Sequence, residues 1–220
     1  MPCNFLKSLL MAYLATMLVG CASRQGPALD YTAFKQSRPR SIVILPPINE
    51  SPDVLATYSM LSQMTRPLAE SGYYVFPVAL VDETFKQNGL TVPNDIQSVA
   101  PAKLREIFGA DAALYVTVKK YGATYTILNS VAVVSATAQL VDLRTGTTIW
   151  YGAATANNNE GGNSGGGLIG ALVAAAVKQI INSTADTSHP VAAKTSLRLL
   201  SAGQLNGVLY GPYLQQYGSD

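Results

Sequence analysis

Ser41-Ile42-Val43-Ile44-Leu45-Pro46-Pro47 is a short apolar run, rich in β-branched side chains and closed by two prolines. Apolar residues stand next to one another here rather than alternating with polar ones. An unbroken run of this length, bounded by turn residues, reads as a strand buried on both faces. Such strands belong inside α/β sheets, where helices cover both sides.

The sequence downstream fits that frame. From Val54 to Ser71, apolar residues recur at Leu55, Tyr58, Leu61, Met64 and Leu68, which is a helical period. Pro67 is expected to kink or shorten the last turn, and Gly72 is a natural stop. Tyr73 to Phe76 reads as a second strand, ended by Pro77. Val81 to Gln87 and Pro101 to Phe108 read as short helices, closed by Asn88-Gly89 and Gly109. Ala112 to Lys120 is a third strand, followed by one or two more between Thr124 and Leu143. Asp142-Leu-Arg-Thr-Gly146 is a turn answered by Thr147 to Ala154, a hairpin pattern. Strands alternate with helices and then run on as a meander. That order predicts a single α/β domain with a mixed β-sheet flanked by helices, over residues 41–156. Residues 157–167 form a Gly/Asn-rich segment expected to be flexible. Residues 168–220 are expected to hold C-terminal helices and a Tyr-rich tail with Tyr210, Tyr213 and Tyr217.

Upstream of the first strand, residues 1–20 read as a signal peptide. Lys7 is the only charged residue before Arg24, and Ser8 to Val19 is mostly apolar. Leu18-Val19-Gly20-Cys21 has the form of a lipobox: aliphatic, β-branched, small, then cysteine. This form resembles bacterial lipoproteins, in which that cysteine carries the lipid. Residues 21–40 would then be a lipidated Cys21 and a tether with a turn of helix at Tyr31–Lys35. Two or three acyl chains hold a protein firmly to a bilayer. Ala22 follows the cysteine where inner-membrane retention commonly uses Asp, so the resemblance implies the outer membrane. With Cys3 removed and Cys21 lipidated, no thiol remains for a disulfide, a redox pair or a thiolate metal site.

Composition narrows the function classes. Charged residues make up 13% of the chain and the net charge is +2, against roughly 25% charge in ordinary domains. No basic stripe of the kind nucleic-acid binders carry is present. No run of about 18 consecutive apolar residues, the length of a membrane span, occurs. Histidine chemistry rests on His189 alone, which reads as a solvent-facing loop residue before Pro190. Asp82 and Glu83 are adjacent and do not share a helix face, so they read as helix-start charges, with an acid–base role as the enzymatic alternative. Asp111 and Asp142 read as turn residues. Gly165-Gly-Gly167-Leu-Ile-Gly170 matches a dinucleotide fingerprint in letters only, because a polar spacer separates it from the preceding strand. No cofactor and no metal are expected.

The stretch that follows has a stronger physical reading. Leu168, Ile169, Leu172, Val173, Val177, Ile180 and Ile181 cover about half of a helix, with alanines filling much of the rest and Lys178 the only charge. A helix apolar nearly all round must be buried, in its own core, against another protomer or partner, or in lipid. Tyr210 and Tyr213 join it as interface candidates.

Several segments together resemble a known family. They are Arg38 to Pro47, Pro67 to Gly89, Lys103 to Asp111 and Val141 to Gly146. The chain is similar, over about Tyr31 to Tyr213, to a family of proteobacterial lipoproteins of unknown function that includes a neisserial surface-antigen lipoprotein. The resemblance implies a fold like the N-terminal domain of TolB and kinship with curli-secretion-type lipoproteins. It implies a non-enzymatic accessory role in envelope transport, with a homo-oligomer or a neighbouring envelope lipoprotein as partner. It brings no catalytic residues. A second function class stays open: a binding module for an envelope glycan or lipid, seated in the crevice beyond the strand ends at Pro46, Asn49, Glu50 and Pro77.

Overall fold

The computed structural model describes residues 29–125, 130–159, 187–204 and 206–220. In chain order these form α1 (Thr32–Ser37), β1 (Ser41–Ile44), β2 (Ile48–Asn49), α2 (Ala56–Glu70), β3 (Tyr74–Val75), α3 (Val78–Gln87), α4 (Pro93–Gln97), α5 (Pro101–Phe108), β4 (Ala112–Tyr125), β5 (Ser130–Asp142), β6 (Thr148–Asn157) and α6 (Ser188–Leu200). The strands make one mixed, six-stranded sheet in the order β3-β1-β4-β5-β6, with β2 pairing β4 beyond the end of β1. β1 is parallel to β3 and β4, while β4, β5 and β6 form an antiparallel meander. This is the expected mixed α/β domain.

The apolar run at the start of the sheet explains the layering. Ile42 and Ile44 face one layer, with α1, α2 and α6. Val43 and Leu45 face the other, with α3, α4 and α5. All four are fully buried, so β1 is the strand around which both cores condense. β5 instead alternates. Ala132, Val134, Ala136, Ala138 and Leu140 are buried under α2 and α6, and the residues between them are not. Its inner alanines leave room for α6 to pack against the sheet. Gly152 on β6 does the same for one ring, since a Cβ there would stand 2.5 Å from Trp150 Cζ2.

Some boundaries differ from the sequence reading. α2 runs through Pro67 to Glu70 and ends just before Gly72, the expected stop. α4 was not expected. Leu29 and Tyr31 already pack against the main core, and Phe34 is buried within it, so the expected tether ends well before Arg40. After α6 the described tail forms turns rather than a further helix. Gly203 and Asn206 both take positive φ there, which breaks a helical run. The lipobox, Cys21 and the apolar stretch Leu168–Ile181 lie outside the described residues.

Candidate functional site: an open sheet face and a stitched end

The second layer covers only half of the sheet. α3, α4 and α5 pack over β1 and the start of β4, and neither β5 nor β6 supplies a residue to that core. Among the described residues, the same face of the meander is therefore uncovered. The register places three rows across it: Tyr115–Gln139–Tyr151, Thr117–Thr137–Ala153 and Lys120–Ser135–Thr155. Tyr151 is 62% exposed. Thr155 Oγ1 donates to Ser135 Oγ at 2.9 Å, so neighbouring strands are tied across this face. Where the helices stop, Gln97, Tyr115, Thr117, Thr137 and Gln139 help to line a hollow of about 340 Å³. Small hydroxyls from Thr117, Thr137, Ser135 and Thr155 surround the exposed Tyr151, and Lys120 opposite Ser135 adds one charge.

The end of the fold where the chain enters is held by a different set of contacts. Leu29 donates its N–H to Asn206 Oδ1 at 3.1 Å, and Tyr31 donates its hydroxyl to the Gly207 carbonyl at 2.6 Å. Burial raises the Tyr31 hydroxyl above the ordinary phenol range. Trp150 Nε1 donates to the Asn206 carbonyl at 3.1 Å. Tyr73 donates to the Leu209 carbonyl at 2.7 Å, and its burial also raises its pKa. Gly211 and Tyr213 donate their N–H groups to the carbonyls of Ser71 and Gly72. The N-terminal entry and the C-terminal tail are thus sewn to the same end of the sheet. Of the two interface tyrosines expected from sequence, Tyr210 is half-buried in this seam and Tyr213 is 68% exposed.

Asp142 anchors that end. Its Oδ1 accepts the N–H groups of Arg144 at 2.7 Å and Thr145 at 3.2 Å, the turn role expected of it. Its Oδ2 also accepts from the Ser37 hydroxyl and, at 3.0 Å, from Arg144 Nη2. Burial alone would raise this carboxyl. The hydrogen bonds from Arg144, Ser37 and the turn backbone outweigh it and hold the pKa down at about 2. Asp111 does similar work at the start of β1, accepting from the N–H of Arg40 at 2.9 Å and Ser41 at 3.2 Å.

The enzymatic candidates do not converge. Asp82 pairs with Lys86 one turn along α3 at 2.6 Å, and Glu83 accepts from Gln87 at 3.0 Å. His189 is corrected: it lies in α6, not in a loop. Its Nδ1 is 2.8 Å from Ser59 Oγ and its Nε2 is 2.8 Å from Gln63 Nε2, both on α2. Tyr121 of β4 donates to the same Ser59 oxygen at 2.7 Å. The histidine therefore joins two helices and a strand. Polar letters around it hid this, because only the pairing of α2 with α6 supplies its partners. In the proposed crevice, Gln97 of α4 donates to the carbonyls of Pro46 and Val116, both at 3.0 Å. Asn49 bonds the Asp53 carbonyl, and Glu50 pairs with Lys119. That seam is occupied by the protein's own side chains. Among the described residues, no group of three or more His, Cys, Asp or Glu is placed to hold a metal ion, and no helix is long and apolar enough to cross a membrane.

Comparison with known proteins places this architecture. Residues 29–213 match the family model described as "Putative lipoprotein GNA1162-like". The chain is 50% identical over 212 residues to "Putative lipoprotein NMB1124/NMB1162" of Neisseria meningitidis serogroup B, covering 94% of this chain and 96% of that one. It is similar to the crystal structure of lipoprotein GNA1162 from Neisseria meningitidis, with 54% identity, a TM-score of 0.53, and coverage of 66% of this chain and 99% of that one. A more distant likeness, 17% identical with a TM-score of 0.40, is to a PelC dodecamer from Paraburkholderia phytofirmans, over 72% of this chain and 91% of that one. The family model takes in every strand and helix described above: this chain belongs to the GNA1162-like lipoprotein family.

Proposed function

We propose that this chain is a lipid-anchored, non-enzymatic component of an envelope assembly, held in the outer membrane through Cys21 and facing the periplasm. It serves transport or secretion by associating with further copies of itself or with a neighbouring envelope lipoprotein. The observation that carries this reading is the uncovered face of β4, β5 and β6, centred on Tyr151. An exposed aromatic on a sheet face with few charges has the composition that interface cores favour. The Leu18-Val19-Gly20-Cys21 pattern supports the anchor, and the apolar Leu168–Ile181 stretch, with Tyr213, supports a second contact surface.

Sedimentation of the full chain in a mild detergent tests the association. The chain is expected to sediment as an oligomer, and Tyr151→Lys, which places a charge on the open face without entering the core, is expected to shift it toward the protomer with an unchanged melting temperature. A protomer at every concentration for the unaltered chain, with no co-purifying envelope protein, would remove the association.

A further inference from the structure

We propose that the hollow between α1 and the C-terminal tail is a binding site for a single-chain amphipathic anion, an alkyl chain ending in one carboxylate or phosphate. The hollow is about 310 Å³ and is lined by Phe34, Lys35, Arg38, Tyr73, Leu209 and Tyr217 among others. That is the lower end of the range for small-molecule sites, which combine an apolar wall with a few polar groups. Phe34, Tyr73 and Leu209 are buried and form the wall. Lys35 and Arg38 are exposed and stand on one side of it.

Two observations point to an anion. The first is what that side already holds. Asp220 is the only acid among the lining residues. Its main-chain oxygen accepts from Lys35 Nζ at 2.6 Å, and its carboxylate accepts from the Tyr210 N–H at 2.6 Å. The tail thus rests its own carboxylate at the mouth of the hollow, and a stronger anion can take that place. The second is Arg38 itself. It caps α1 at φ 48 and ψ 55, a left-handed backbone where glycine or asparagine is usual. Among the described residues its guanidinium makes no hydrogen bond and no ion pair. The backbone N–H of Arg38 caps α1 on the Phe34 carbonyl, so the strained position has a role in the fold, but the guanidinium is left for a charge outside it. Both charges lie beside an apolar wall, so the fitting ligand carries an apolar body behind its head.

The test uses the full chain in isolated membranes and a decanoate with a photoreactive diazirine on its far end. Labelled peptides are expected to contain Phe34, Leu209 or Tyr217. Decanoate or decyl phosphate is expected to compete and decyltrimethylammonium is not, and the stronger of the two anions identifies the head group. Arg38→Asn relieves the backbone strain while removing the charge. It is expected to keep or raise the melting temperature and to weaken competition about tenfold, the loss of one charged hydrogen bond. Lys35→Gln is expected to weaken it similarly. Label confined to other peptides, equal competition by the cation, or unchanged competition in both variants would overturn the site.

Discussion

Asp142 is a buried carboxylate whose partners come from three places: its own turn, α1 and the side chain two residues on. Its pKa is held at about 2 in the fold, against 3.8 for the free group. A carboxyl depressed in this way stabilises the fold fully above the unfolded value and loses that contribution as pH falls through the folded one. The difference corresponds to about 2 kcal/mol. Urea unfolding at pH 7, 4 and 2 should show that amount lost between the last two points. In Asp142→Asn the drop over that interval should shrink, and the variant should be less stable at pH 7 by about 1–3 kcal/mol. Gly211 is a second residue whose identity is set by contact. A Cβ there would run into the Gly72 carbonyl. Gly211→Ala should loosen the tail, costing roughly 1–3 kcal/mol, and limited proteolysis should then cut between Gly207 and Tyr217.

The elements differ in how far they could be read in advance. β1 was legible because its four-residue apolar run has one physical reading, a strand buried on both faces. The β5–β6 hairpin was legible because Asp142 and Gly146 are turn chemistry between alternating strands. α4 was not, since five residues opening on Pro93 give no period to detect. α6 begins at Ser188, inside a stretch where His189 read as loop, although Ser188 is buried and His189 bonds across to α2. The open face was invisible for a deeper reason: alternation on β5 says which residues face the core, but not that the opposite layer ends at β4. Packing at this scale has a plain test. Met60, Met64 and Leu68 lie on one side of α2 and are fully buried. Met64→Ala should cost about 2–5 kcal/mol through lost burial and a residual cavity, measured as a fall in the denaturant midpoint. Arg66→Ala on the exposed side, where the ion pair to Glu70 is solvent-accessible, should leave the midpoint nearly unchanged.

At the scale of the whole molecule, the fold divides into a closed half and an open half. β3, β1 and the start of β4 are sandwiched between two helical layers, while the meander is covered on one side only among the described residues. The entry of the chain and its tail are fixed together at one end, where the proposed anion site also lies. In the proposed function an N-terminal lipid holds this body at a membrane, where a neighbour on the same surface can meet its open sheet. Anchor and contact surface are therefore parts of one reading. A native mass spectrum of the chain extracted from membranes examines both at once. The account predicts protomers carrying acyl chains on Cys21 and assembled into multimers. Unlipidated protomers, alone and without a bound envelope partner, would contradict it.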